Sequence, residues 1–360
     1  MSAPPNLYGM GRGALGRFLA SYDAQAFHAG QIYRWLYGRA VYDPVGWTDL
    51  AKDLRERIQR DARVDPGRIA GRAEAADGTV KYRITLSDDQ SVETVYMVQS
   101  QRVTLCVSSQ VGCALGCDFC LTGKMGLIRN LDPGEIAGQV ALVCGDRELD
   151  QQPFNIVFMG MGEPLHNYDG VMRAFRLLVD PHGFGLSRRR ITVSTSGMVP
   201  AILRLAEEEP RPRLAVSLNA TTDEVRNRIM PINRKHPIDT LLRACREFTR
   251  RTRDSFTFEY VLLAGVNDTD ADVRRLARMA RPLRVKVNLI PFNPVPDWLR
   301  YGPPSTERVN EIRDRLLESG VRASIRWSRG ADARAACGQL ALLPSDRETG
   351  SETGEPRRKG

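Results

Sequence analysis

No stretch of this chain approaches the roughly 18 consecutive apolar residues that a helix needs to cross a bilayer, so no membrane-spanning helix is expected in its 360 residues. The first residues, Met1-Ser-Ala-Pro-Pro-Asn6, lack the basic-then-apolar pattern of a secretory signal. Histidine is scarce: His28, His166, His182 and His236 are scattered without ligand spacing, and no role falls to them. No internal repeat is present beyond an alternation of strand-like and helix-like segments. The seven cysteines are odd in number and four crowd into residues 106–120, which argues against a disulfide framework and for a reducing compartment. A cytoplasmic protein is the expectation.

What is present is a globular composition, 42% hydrophobic and 26% charged, enough for a substantial core. The length suits about two domains, or one barrel with an appendage. Lysine and arginine exceed aspartate and glutamate by 52 to 43, a net charge of +9 that suits a polyanionic partner. The arginines cluster: Arg188-Arg189-Arg190; Arg243, Arg246 and Arg250 on one helical face with Arg251 and Arg253 behind; and Arg274, Arg275, Arg278, Arg281 and Arg284. The bland reading of such runs is a solvated helix face.

Residues 1–75 read as a small helical accessory domain. Thr48 can cap a helix in which Leu50, Leu54 and Ile58 recur every fourth residue, and Phe27, Ile32, Trp35 and Leu36 form an apolar stripe ahead of it. Its basic and aromatic side chains could also dock RNA. Residues 76–101 read as a β-hairpin linker, with Val80, Tyr82, Ile84 and Leu86 alternating, a turn over 87–90, and a returning strand over 91–97. Residues 102–343 then repeat strand and helix. Strands are expected at 103–107, 154–159, 190–194, 213–217, 256–262 and 285–290, with helices near 133–145, 168–178, 199–208, 221–229, 238–251 and 269–280. Asp132, Pro133 and Glu135 mark the start of the first of these helices. A helix near 305–319 and a strand at 322–327 follow, and the tail 344–360, without apolar residues, is expected to be disordered. The fold class is α/β: a partial barrel of six strand–helix units, with a parallel sheet.

In such barrels the functional loops gather at the carboxyl ends of the strands. After the first strand comes Cys113-x3-Cys117-x2-Cys120, among Gly112, Gly116 and Gly123, which let the backbone fold around a bound centre. Three thiolates so placed suit an iron–sulfur cluster with one open position, or a structural zinc with Cys106 or Cys144 as fourth ligand. The next strand ends at Met159-Gly160-Met161-Gly162-Glu163-Pro164, and later ones at Ser194-Thr195-Ser196-Gly197, Ser217-Leu218-Asn219 and Ile290-Pro291-Phe292-Asn293-Pro294. Small hydroxyls, one carboxylate and two amides would thus face a common mouth, fitted to a polar small molecule. Cys144 and Cys245 read as small apolar residues on helices, and Cys106 alone would read as the same in a strand. Glu93 alone would read as an exposed strand carboxylate.

The cysteine triplet with Phe119 resembles the cluster loop of the radical S-adenosylmethionine superfamily, and Gly160-Met-Gly-Glu163-Pro resembles its loop for the cofactor's amino group. Together with Val-Glu93-Thr-Val, Cys106-Val-Ser-Ser-Gln-Val-Gly-Cys113, Ser-Leu-Asn219-Ala and Ala-Ala-Cys337-Gly-Gln-Leu, these look like the bacterial radical methyltransferases that modify carbon 2 of adenine in 23S ribosomal RNA and transfer RNA. The resemblance runs from about residue 7 to 343. One departure is Leu121, where the family carries a small alanine beside the cluster loop.

The resemblance implies a [4Fe-4S] cluster on Cys113, Cys117 and Cys120 and two S-adenosylmethionine molecules per turnover. Gly162, Glu163, Ser194, Ser217, Leu218, Asn219 and Asn293 match the cofactor contacts. Cys337 matches the residue methylated to S-methylcysteine, Cys106 its transient disulfide partner, and Glu93 the proton acceptor. The implied partners are 23S rRNA, tRNA and a flavodoxin-type reductase, for a monomeric protein with no membrane contact. Two other readings stay open: the related carbon-8 methylation of the same ribosomal adenosine, which uses a similar cysteine pair, and a zinc-stabilised RNA-binding protein without catalysis.

Overall fold

The computed structural model describes residues 4–100, 102–149, 152–295 and 300–341, so the expected tail at 344–360 lies outside the described residues. The chain opens with helices α1 (Arg12–Ala20), α2 (Phe27–Tyr33), prolonged by a π turn over Arg34–Gly38, and α3 (Lys52–Asp61). They enclose a core of their own, with Leu15, Ile32, Trp35, Leu36, Trp47 and Ile58 buried together. Three details differ from the sequence expectation. Thr48 caps nothing, because α3 begins at Lys52 with Ala51 at its cap. Phe27 is exposed, leaving Ile32, Trp35 and Leu36 as the inward stripe. The helical segment also ends before residue 75, since Arg68–Glu74 is a strand, β1.

That strand was hidden for a physical reason. Of its inward positions only Ile69 carries a sizeable apolar side chain, Gly71 and Ala73 offering almost none; a bulge interrupts it between Ile69 and Gly71, and it lies at the sheet edge against β2 (Val80–Thr85). Its pairing comes from a neighbour's backbone, not from an apolar face of its own. Strand β3 (Ser91–Gln99) completes the antiparallel part, and β4 (Arg102–Cys106) joins it to the parallel part.

From β4 onward the strand–helix alternation holds. The loop after β4 carries a two-stranded hairpin, β5 (Gln110–Cys113) and β6 (Gly126–Asn130), with the short helix α4 (Leu121–Lys124) between them. Then come α5 (Pro133–Asp146), β7 (Phe154–Phe158), α6 (Tyr168–Val179), β8 (Ile191–Thr195), α7 (Val199–Leu205), β9 (Arg213–Ser217), α8 (Asp223–Ile229) and α9 (Ile238–Thr252). The series ends with β10 (Phe256–Leu262), α10 (Asp270–Ala280), β11 (Val285–Pro291), α11 (Thr306–Glu318) and β12 (Ala323–Ile325). The main sheet runs β1-β2-β3-β4-β7-β8-β9-β10-β11-β12, parallel from β4 onward. Inward residues of β4 (Thr104, Cys106) and of the β12 end (Ser324, Arg326) line one cavity, so the parallel strands curl into an incomplete barrel.

The first turn of α5 fixes the helical domain to this body. Asp132 N–H donates to the Glu135 carboxylate at 2.8 Å with Pro133 following, as the sequence predicts. A Cβ on Gly134 would stand 2.3 Å from the Tyr8 carbonyl oxygen, so only glycine allows this contact. Cys245 is buried on α9 and Cys144 packs partly buried on α5, both among apolar residues.

Candidate active site

The β4–α5 loop is anchored by buried polar groups before it reaches the cysteines. Ser108 N–H donates to Gln139 Oε1 at 2.7 Å, and Gln110 Nε2 donates to Asn130 Oδ1 at 2.7 Å across the hairpin. Cys113, Cys117 and Cys120 then line one cavity of about 170 Å³ at the carboxyl ends of the parallel strands. Burial pushes the Cys113 thiol up to about 11, with Cys120 and Glu163 adding negative charge nearby. Cys117 and Cys120 are pushed up in the same direction, again first by burial. Three such thiols ionise readily only when a cationic centre draws them, which is what a metal centre supplies.

Three thiols in one cavity suit a cluster with one open iron, whereas a structural zinc closes its tetrahedron with a fourth protein ligand. Neither candidate fourth ligand is near: Cys106 faces the barrel interior, and Cys144 sits on α5 beside Tyr8 and Tyr42. The residues fit a cluster with an open iron.

The neighbouring strand ends wall the rest of this cavity. Gly162 has φ +97°, and a Cβ there would stand 2.5 Å from Gln110 Cβ, so the loop closes onto the cysteine strand only through glycine. Glu163 is buried; its Oε2 accepts Ser196 N–H and Ser196 Oγ, each at 2.8 Å, and its Oε1 accepts Leu165 N–H at 3.1 Å. Burial raises its pKa and these hydrogen bonds oppose that. A carboxylate so held in a cavity of thiols is complementary to an ammonium group. Ser194 and Ser217 line the same cavity.

Three expected contacts are already engaged within the fold. Asn219, at φ +54°, accepts Val261 N–H with Oδ1 at 2.8 Å and aims Nδ2 at Met230 Sδ. Asn293 Nδ2 donates to the Cys337 carbonyl at 3.2 Å. Leu218 is fully buried in the core, and its carbonyl accepts Arg226 Nε at 2.9 Å. Arg226 was not legible in the sequence, where Asp223, Glu224 and Arg228 make its helix look solvated. It is fully buried, donates also to the carbonyls of Ser196 (2.6 Å) and Ser217 (3.0 Å), and so ties together the ends of β8 and β9. Burial lowers its pKa to about 10.

The segment carrying Cys337 lies across this mouth. Leu121 N–H donates to the Gly338 carbonyl at 2.9 Å, Thr122 Oγ1 to the Leu340 carbonyl at 2.6 Å, and Gln339 Nε2 to the Pro294 carbonyl at 3.0 Å. The family departure at Leu121 is accommodated: its side chain is buried against Val295 and Ala341. Cys337 lines the cavity of the cysteine triplet and also a second cavity of about 360 Å³ in the barrel interior, which Cys106 lines. Burial pushes the Cys106 thiol up to about 12, with Cys337 the next contribution. Glu93 is not the exposed strand carboxylate of the bland reading. It is 1% exposed, its Oε1 pairs with Lys81 Nζ at 2.9 Å, and its Oε2 accepts Ala341 N–H at 2.9 Å. It stands one strand away from Cys106, outside the lining of both cavities.

Comparison with known proteins agrees with this geometry. Residues 107–279 match the radical SAM superfamily, and residues 5–64 match a ribosomal RNA large subunit methyltransferase N-terminal domain. A protein of Anaeromyxobacter dehalogenans named dual-specificity RNA methyltransferase RlmN is 46% identical over 99% of this chain and 95% of its own length. One of the same name from Halorhodospira halophila is 46% identical over 94% of each chain. The crystal structure of a radical SAM methyltransferase from Sphaerobacter thermophilus superposes with a TM-score of 0.89 at 44% identity, covering 94% of this chain and 99% of that one.

Proposed function

The chain belongs to the family of dual-specificity radical SAM RNA methyltransferases, and from that premise we propose that it methylates carbon 2 of adenosine in 23S rRNA and in the tRNA anticodon loop, with Cys337 as methyl carrier. It is a radical SAM enzyme and takes a [4Fe-4S] cluster and S-adenosylmethionine. The observation that carries the carrier assignment is the placement of Cys337 in the wall shared by the two cavities. A methyl carrier has to meet the donor on one side and the acceptor base on the other.

Carbon 2 of adenine lies between two ring nitrogens and is electron-poor, so it does not displace a methyl group from a sulfonium. Cys113, Cys117 and Cys120 would hold the cluster, and Glu163 the ammonium of S-adenosylmethionine, with Gly162, Ser194, Ser217, Asn219 and Asn293 lining the pocket and Leu218, buried in the core, fixing the backbone between Ser217 and Asn219. When bound, the cluster supplies the electron that turns S-adenosylmethionine into a hydrogen-abstracting radical. Cys337 acts first as a nucleophile, since a thiolate is the strong nucleophile available for taking a methyl from a sulfonium. It becomes S-methylcysteine, and loss of a hydrogen atom from that methyl to the radical would let its carbon bond carbon 2 of the base. Glu93 accepts the ring proton of the adduct, whose odd electron would pass to the cluster, and Cys106 then attacks the Cys337 sulfur: the sulfur–methylene bond breaks as the disulfide forms, and the Cys106 thiol proton completes the methyl group. The buried Lys81 keeps Glu93 oriented, while its carboxylate oxygens retain lone pairs for that proton.

The same reading carries a flavodoxin-type electron donor, a monomer and a cytoplasmic site of action. Among the described residues no helix is long and apolar enough to cross a membrane. Cys337→Ala should abolish methylation of both RNAs while leaving the brown cluster absorbance intact. Cys106→Ala should accumulate RNA covalently attached through Cys337, seen as a shifted band that ribonuclease collapses. Mass spectrometry of digested rRNA and tRNA locates the methyl; a methyl on carbon 8, or turnover in the Cys337→Ala protein, would remove the assignment.

A further inference from the structure

The interior cavity has an end that the chemistry above does not use. Cys106 closes β4 on the mouth side, whereas Arg102 begins the same strand and Lys286 stands second in β11, both at the amino ends of the parallel strands. All three line the cavity. Four residues of extended strand carry the chain from Arg102 to Cys106, about 13 Å, so the cavity runs down the barrel from the thiol pair towards the opposite face. That lower end is open to solvent, since Gln99, Arg102 and Lys286 on its rim are exposed.

The lining carries charge of one sign. Arg102, Lys286, Arg326 and Arg329 line the cavity and, among the described residues, no aspartate or glutamate does. Arg326 is answered by the buried Glu259, which lines the triplet cavity instead, and Arg329 by Asp77 at 3.9 Å. Arg102 and Lys286 make no ion pair among the described residues, and Lys286 acts on Glu259 through space alone. A cleft of one sign between low-dielectric walls concentrates the opposite charge. From the mouth, by contrast, Cys106 is covered. It does not line the triplet cavity, and the segment bonded at Gly338, Gln339 and Leu340 lies across the way.

We propose that this lower end is the port through which a small thiol carrying carboxylates, the class of glutathione, enters to reduce the Cys106–Cys337 disulfide and reset the enzyme. The inference rests on the methyl-carrier reading, in which each turnover leaves that disulfide behind. A cavity of about 360 Å³ suits a molecule of tripeptide size and is too small for a folded reductase. The incoming thiolate attacks Cys337, the more exposed of the two cysteines. A new sulfur–sulfur bond forms there as the Cys106–Cys337 bond breaks, and the proton that the small thiol gave up ends on Cys106, which burial holds as the neutral thiol. A second small thiol then attacks the mixed disulfide at the small molecule's sulfur, freeing Cys337 with its proton and leaving as the oxidised dimer. The two electrons come from the two small thiols.

The test uses cluster-loaded protein taken through one turnover on an RNA hairpin and then freed of RNA. Glutathione, which carries net negative charge, is compared with cysteamine, which carries positive charge, at equal thiolate concentration. Recovery of the Cys106 and Cys337 thiols is followed by alkylation and mass spectrometry. Wild type should react with glutathione about tenfold faster or more, and added salt should narrow that gap. The double variant Arg102→Gln/Lys286→Gln should lose about threefold or more of the glutathione rate and keep or raise the cysteamine rate. Its first-turnover methylation, the control for folding and cluster loading, should be unchanged; either single variant takes its place where the double one fails this control. Equal rates for the two thiols in wild type, or an undiminished glutathione rate in the variant, overturns the proposal. So does a disulfide that a dithiol protein reduces and glutathione does not. A turnover that leaves both thiols free overturns the disulfide reading and this one with it, whereas a disulfide reduced without charge preference overturns this one alone.

Discussion

Lys81 and Glu93 lie on adjacent strands as diagonal neighbours on one face, Lys81 standing opposite Val95, and they are 4% and 1% exposed. A buried ion pair adds little to stability over an apolar pair, but breaking it from one side strands a charge and costs about 3–5 kcal/mol. Lys81→Met should therefore lower unfolding stability by about 3 kcal/mol in urea titration, and the double variant Lys81→Met/Glu93→Gln should recover part of it. A Lys81→Met protein as stable as wild type would show that the pair is not a closed unit. Because Glu93 Oε2 also holds Ala341 N–H, the single variant should speed hydrogen exchange in the segment around Cys337. At this scale the sequence is legible where chemistry forces a pattern. The cysteine triplet and Cys337 stand out because thiols are rare and their spacing is constrained. Arg226 and Glu259 do not, because a lone charge in a polar or alternating stretch looks the same whether it faces water or a cavity.

Elements carry the next level of constraint. The close approach of the Met159–Pro164 turn to the β4–α5 loop depends on a missing side chain at Gly162, where both the positive φ and the 2.5 Å approach to Gln110 Cβ exclude a Cβ. Gly162→Ala should push the two loops apart, displace Glu163, and weaken S-adenosylmethionine binding by tenfold or more while the fold persists; calorimetric titration with unaltered affinity would contradict it. The start of α10 is held differently. Asp272 Oδ2 accepts Thr269 Oγ1 at 2.5 Å and Oδ1 accepts Arg275 Nη2 at 2.6 Å, while Thr221 Oγ1 also donates to Oδ1. Burial acts against these bonds, which win and hold its carboxyl below the ordinary range. Its stabilisation is thus present above the unfolded carboxyl value of about 3.9 and fades as pH falls through the lower folded value. Asp272→Asn should flatten that part of the acid limb in urea midpoints taken from neutral to acid pH. The parallel strands and their helices were legible because each is a short apolar run followed by a capped, periodic segment. Strand β1 and the β5–β6 hairpin were not, since a bulged edge strand with a single sizeable inner residue, Ile69, and a hairpin built on Gly112 and Gly126 draw their pairing from neighbours.

Across the whole molecule, the surplus of positive charge is smaller at the surface than the arginine clusters suggest. Arg250 and Arg251 both bond Glu247, the Arg250 hydrogen bond first and then Arg251 holding its carboxyl down to about 2. Arg188 and Arg211 share Asp254, Arg308 and Arg315 share Asp270, and Arg243 bonds Asp239. Sequence clustering overstates the field because it cannot see which carboxylate folds back onto which guanidinium. RNA affinity, in contrast, counts only the cations that touch phosphate. Each contributes a slope of about 0.7 to 0.9 in the dependence of log K on log salt. A guanidinium engaged with its own carboxylate has to give up that bond before it can add to the slope. Arg250→Gln/Arg251→Gln should therefore leave the salt slope of rRNA-hairpin binding within about one such step of wild type, read from filter binding over a salt series. A fall by two steps would mean that both arginines leave Glu247 for the phosphates, and that the α9 face, not the helical domain or the barrel mouth, carries the RNA.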